Sequence, residues 1–115
     1  MALRVEMVTI DCRDPRALAT WWARQLGGQV RVGFEEDFVV VTFPEGGVRL
    51  GFQQVEEPTP GKNRLHLDLA SGDVEHEANR LMAEGALEVA RLDVSGGSWI
   101  VLSDPEGNQF CVGQG

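Results

Sequence analysis

Val8-Thr-Ile-Asp-Cys12, then Asp14-Pro15 and a helical run that stops at Gly27-Gly28, is answered later in the chain by Leu65-His-Leu-Asp-Leu69, then Asp73 and a second helical run that stops at Gly85. Self-similarity of this kind is read before any element is assigned, because missing it misassigns the whole fold. The match continues: Val39-Val-Val-Thr-Phe-Pro-Glu-Gly46 has its counterpart in Ile100-Val-Leu-Ser-Asp-Pro-Glu-Gly107. Each half therefore opens with a strand and a helix and closes with a hairpin.

The first helix carries clean start and stop signals. Asp14 is the expected N-cap, Pro15 sits at the first position where a missing N–H costs nothing, and Gly27 falls just past the end. Leu18, Trp22 and Leu26 recur at helical spacing with Ala19 beside them, giving one apolar stripe, while Arg16 and Arg24 lie off it. The second helix, capped by Asp73, repeats the pattern with Val74, Ala78, Leu81 and Met82 and turns Glu75, Glu77, Arg80 and Glu84 outward.

Around the helices, strands are expected over residues 4–12, 28–33, 37–43 and 47–54, then 64–70, 87–93, 98–103 and 108–113. That is βαβββ written twice, an α+β chain of two modules, residues 1–54 and 64–115, forming one domain over residues 1–115. The segment from Glu56 to Asn63, with both of its prolines and no periodicity, reads as part of a linker over residues 55–63. A module of this size buries too little apolar surface to be stable alone.

Composition sets the outer limits. A chain of 115 residues is one domain's worth, and 43% hydrophobic with 24% charged residues is the balance of a folded protein. The formal net charge of −8 repels phosphate backbones and anionic lipid, which excludes nucleic acid and membrane surfaces as partners. No window supplies the roughly 18 apolar residues of a membrane span, and the first six residues lack a signal-peptide core, so a cytoplasmic location is expected. Cys12 and Cys111 lie far apart and show no paired spacing, so both are read as free thiols.

Two βαβββ modules, with Asp14-Pro15 before a Trp-bearing helix, His66 in Leu-His-Leu-Asp-Leu, and Asp104-Pro-Glu-Gly-Asn108 before the last strand, make the chain similar to the vicinal oxygen chelate superfamily. That superfamily includes glyoxalase I, bleomycin-resistance proteins, extradiol dioxygenases and fosfomycin-resistance enzymes, and the likeness is to its short glyoxalase-like members. It implies that the two mixed sheets curl into a cup holding a divalent metal on four inward side chains, two per module, usually His, Glu or Gln. It also implies a homodimer, because relatives pair or exchange modules.

Taken position by position, the resemblance makes His66 the clear ligand match. Counting back from the helix caps, Asp73 to His66 and Asp14 to Met7, puts Met7 at the partner position; aligning Ile10-Asp11 with Leu67-Asp68 puts Thr9 there instead. On the last strands, core-facing Phe110 and Val112 turn Cys111 to the ligand position, and core-facing Leu50 and Phe52 leave Gly51 there. A lone imidazole with a thiol supplies neither the number nor the charge of donors such a metal needs. No cofactor is therefore expected, with His66 the one candidate donor should a divalent metal bind.

The ligand pocket is expected to draw on Met7, Thr9, Asp11, Gln53, His66, Asp68, Trp99 and Cys111. His66 and Asp68, two apart on a strand, project to one face about 7 Å apart and are the candidate acid–base pair. Cys111 lacks the cation or helix N-terminus that would activate a thiol and reads as inert. Of Trp21, Trp22 and Trp99, Trp22 belongs to the helix stripe, whereas Trp99 alternates with core-facing Ile100 and offers a flat aromatic surface. Glu35, Glu36, Asp37, Glu56 and Glu57 read as solvated loop charges, and Lys62 and Arg64 as a solubilising linker end.

Three functions follow in order. The first is a metal-independent protein binding a small aromatic or cationic molecule, for sequestration or resistance. The second is a metal-dependent lyase, isomerase or dioxygenase of the glyoxalase type. The third is a dimerising or regulatory module without a ligand.

Overall fold

The computed structural model describes residues 5–32, 37–60, 65–94 and 97–114. Eight strands and two helices alternate as β1 (Met7–Cys12), α1 (Pro15–Leu26), β2 (Gln29–Val32), β3 (Phe38–Thr42), β4 (Arg49–Gln54), β5 (Leu67–Ala70), α2 (Val74–Ala83), β6 (Leu87–Val94), β7 (Gly97–Ser103) and β8 (Gln109–Gly113). The chain divides into two compact units, residues 1–59 and 60–115. Each holds one four-stranded mixed sheet and one helix, so the fold is α+β with two βαβββ modules. No helix among the described residues is long and apolar enough to cross a membrane. The expected strand ends at Arg4, Gly33 and Arg64, and the loop charges Glu35, Glu36 and Lys62, lie outside the described residues.

In the first unit the strand order is β1-β4-β3-β2, with β1 parallel to β4 and the rest antiparallel. β1 begins at Met7 because its ladder partner begins at Arg49; a bond from the Arg49 N–H to the Glu6 carbonyl closes that end. Val39, Val41, Leu50 and Phe52 form the buried face, against which α1 lays Leu18, Ala19 and Trp22. Burying each of the larger side chains contributes about 1.5–3 kcal/mol. Trp21 is buried too, edge-on to Trp22 with ring centroids 5.0 Å apart.

Capping is as local sequence dictates. The Asp14 carboxylate accepts from the Ala17 N–H at 3.1 Å, and Gly27, at φ 72°, occupies the left-handed position that ends α1. The next residue, Gly28, donates back to the Ala23 carbonyl and lies so close to β3 that a Cβ there would meet Val41 Cγ1 at 2.6 Å.

The second unit repeats the design, order β5-β8-β7-β6 with β5 parallel to β8. Ile100, Leu102, Phe110 and Val112 form its buried face and α2 contributes Ala78 and Leu81. The Asp73 carboxylate accepts from the His76 N–H at 3.1 Å. Between Glu88 and Ala90 the β6–β7 register shifts, leaving Val89 as an extra residue.

The Asp104-Pro-Glu-Gly-Asn108 motif builds the turn between β7 and β8. Asp104 is buried, and its carboxylate accepts from the backbone N–H groups of Glu106 and Asn108, each at 2.9 Å, and from the Asn108 side-chain amide. With Gly107 at φ 91°, this closes the β7–β8 turn. Phe43 holds the equivalent place in the first module, where Gly46 donates to its carbonyl.

Candidate functional site

The helices cover one face of each sheet, so strand alternation assigns the residues of the other. In the first unit that face carries Met7, Thr9 and Asp11 from β1, Arg49, Gly51 and Gln53 from β4, and Phe38 from β3. Thr9 is the Cα partner of Gly51, and Asp11 that of Gln53. A Cβ at Gly51 would lie 3.0 Å from Met7 Sδ, 3.0 Å from Thr9 Oγ1 and 3.1 Å from Phe38 Cζ. A thioether, a hydroxyl and an aromatic ring thus close over the glycine.

The corresponding face of the second unit carries His66 and Asp68, Cys111 and Gly113 from β8, and Trp99 and Val101 from β7. Asp68 is the direct Cα partner of Cys111, and Trp99 that of Gly113. His66 Nε2 stands 3.6 Å from Asp68 Oδ1, so the two side chains lean together across the strand spacing. Cys111 joins them: one imidazole nitrogen, one carboxylate oxygen and the thiol sulfur lie within 4.8 Å of one another. Asp68 is open to solvent, and Cys111 is half-buried. The other thiol, Cys12, is buried on the helix-covered face of the first sheet, near the Gln53 carbonyl.

The registers make the two modules directly comparable. Gly51 and Cys111 hold equivalent places on the last strands, and across the parallel ladders Thr9 answers Asp68. Met7, one pleat earlier on the same face, answers His66.

A pocket of about 400 Å³ lies where the first turn of α2 meets the β6–β7 ladder. Trp99 and Leu92 line it with the charged groups Glu75, Arg91 and Asp93. Arg91 is clamped by Glu88 and Glu75, and these carboxylates, Glu88 first, hold its guanidinium above the usual range. It enters the pocket already paired, which leaves the lining net acidic.

The four positions that the family resemblance marks for a metal do not fit one. Gly51 has no donor and its space is taken by Met7, Thr9 and Phe38. A thioether and a hydroxyl are poor partners for the divalent cations that His and Glu hold. Sequence reasoning counted Cys111 and His66 as the surviving donors and gave Asp68 to His66 as a proton partner. The ladder sets Asp68 beside the thiol as well, a third donor the residue-by-residue transfer missed. Its signal was present, since the residues facing both His66 and Cys111 are fixed by alternation. The acidic residues Glu75 and Asp93 beside Trp99 were not anticipated, because they come from other elements.

Residues 7–113 match the family model described as a glyoxalase-like domain. Among solved structures, a member of the glyoxalase/bleomycin resistance protein/dioxygenase superfamily from Sphaerobacter thermophilus is similar at TM-score 0.77 and 20% identity, over 100% of this chain and 99% of that one. TnmS3, an antibiotic-binding protein from a Streptomyces species, is similar at TM-score 0.74 and 19% identity, over 99% and 98%. The oxidase ChaP-H2 is similar at 0.72 and 19%, over 100% and 95%. No curated protein matches the chain.

Proposed function

Because the chain belongs to the glyoxalase-like family of the vicinal oxygen chelate superfamily, we propose that it is a small-molecule-binding protein that works without that superfamily's four-ligand chelate. The observation that carries the reading is the closure of Met7, Thr9 and Phe38 over Gly51, which puts packing where a metal ligand would stand. What the second unit does offer is suited to binding. Trp99 supplies an aromatic surface at the pocket beside the first turn of α2, and Glu75 and Asp93, which line the same pocket, supply negative charge there. The favoured ligand is a planar aromatic cation, attracted by a net charge of −8. The antibiotic-binding neighbour supports the same class of role.

One observation favours an enzymatic second reading. His66 Nε2 and Asp68 Oδ1 stand 3.6 Å apart, at ion-pair range, so a small side-chain rotation would let the carboxylate orient the imidazole for proton transfer on a bound substrate. We also propose a homodimer. β6 is an edge strand, and its exposed Leu87, Val89 and Leu92 form an apolar strip that a second copy would cover. Sedimentation giving only the monomer mass across micromolar concentrations would refute it.

Thermal denaturation with proflavine and ethidium tests the binding reading. A ligand at a hundredfold excess over its Kd stabilises by about 2.7 kcal/mol. The gain is expected in the wild type and should shrink in Trp99→Ala. No stabilisation by either cation would count against the reading.

A further inference from the structure

We propose that the pocket beside α2 takes an aromatic amidinium or guanidinium head, which replaces Arg91 on Glu75. This ligand is a narrower form of the planar aromatic cation proposed above and rests on that reading: its positive charge must sit on a group that carries N–H donors.

Arg91 is held from two sides, and unequally. Glu88, three residues earlier on β6, accepts from Nε at 3.1 and 3.0 Å on its two oxygens and pairs with Nη2 at 3.0 Å. Glu75, in the first turn of α2, is reached only by Nη1. Glu75 lines the pocket with Arg91, Asp93 and Trp99, whereas Glu88 stands outside that lining. The Glu75 side chain is also the more open of the two, 62% exposed against 35% for Glu88. Arg91 can therefore release Glu75 into the pocket while its own charge stays paired on β6.

The contact to be released defines what can replace it. Glu75 accepts a charge-assisted N–H bond from a planar guanidinium, and an amidinium or guanidinium head returns that bond in the same fork geometry. A quaternary ammonium brings the charge without a donor, so displacing Arg91 with it costs Glu75 a hydrogen bond. The ring attached to the head has Trp99 to lie against, and Asp93 adds a second carboxylate. Asp73, also in the lining, is committed to the His76 N–H as the cap of α2. A volume of about 400 Å³ is within the range of small-molecule sites. None of these residues is among the four positions that the family resemblance marks for a metal.

Calorimetric titration of the chelator-treated full-length protein with benzamidine and with phenyltrimethylammonium, two aromatic monocations of similar size, tests the site, with proflavine as the reference ligand. Benzamidine is expected to bind several-fold more tightly than phenyltrimethylammonium. Arg91→Gln removes the competitor and should tighten benzamidine about two- to fivefold, the range of an exposed ion pair. Arg91→Lys, which keeps the charge without the fork, should tighten it less. Glu75→Gln should weaken benzamidine, and in that background Arg91→Gln should bring no gain. Equal affinities for the two cations, or an equal gain from Arg91→Gln with and without Glu75, would overturn the proposal. Proflavine binding without any binding of benzamidine would overturn it alone and leave the broader reading standing; no binding of any of the three would overturn both.

Discussion

Thr9 and Asp68 hold equivalent places in the two modules, Thr9 as Cα partner of Gly51 and Asp68 as Cα partner of Cys111. One backbone pairing thus presents a hydroxyl over a glycine in the first module and a carboxylate beside a thiol in the second. The repeat preserves the ladder while the chemistry on it has diverged.

The two tight glycines should respond differently to alanine. At Gly28 a Cβ would meet Val41 Cγ1 at 2.6 Å and the Thr42 carbonyl at 2.9 Å, and backbone cannot yield cheaply. Gly28→Ala is expected to cost about 1–3 kcal/mol. At Gly51 the neighbours are the ends of Met7, Thr9 and Phe38 side chains, so Gly51→Ala should cost less. Denaturant unfolding of both variants gives the order; a larger loss at Gly51 would show that its cover is rigid.

Asp104→Ala should be among the more damaging single changes. It removes a buried acceptor and strands the N–H groups of Glu106 and Asn108, each worth about 1–3 kcal/mol when left unsatisfied. A loss below about 1 kcal/mol in chemical denaturation would contradict the role assigned to the motif.

Asp14→Ala and Asp73→Ala each remove an N-cap acceptor and should cost about 1 kcal/mol. Asp11, exposed on β1, is the control and should change stability by less than about 0.5 kcal/mol. Equal effects at all three positions would mean that lost charge, not lost capping, is being measured.

The fold was legible because its signals are local and doubled. Asp14-Pro15, Asp73, Gly27 and the two Pro-Glu-Gly turns each act within a few residues, and each half checks the other. Strand ends were less legible, since β1 and β5 run only as far as β4 and β8 pair with them. At the site, alternation placed His66, Asp68 and Cys111 on one face. It does not reveal how far His66 leans toward Asp68, nor that Phe38 reaches over Gly51, because both depend on side chains meeting across elements. The extra residue Val89 is likewise invisible until β6 and β7 are paired.

Salt should weaken capture of a planar aromatic cation. Screening over a length of about 10 Å at 0.1 M shrinks to about 3 Å at 1 M and removes the pull of the chain's net negative charge. Proflavine affinity measured at these two salt concentrations should fall at the higher one. Affinity that rises with salt would point to a purely apolar ligand.

The most direct measurement is a fluorescence titration of chelator-treated protein with proflavine, compared in wild type, Trp99→Ala and wild type reloaded with zinc. A metal-free binding protein gives saturable binding by the chelator-treated wild type, clearly weakened by Trp99→Ala. Binding that appears only after zinc is restored, or that is unchanged in Trp99→Ala, would contradict metal-independent capture on Trp99.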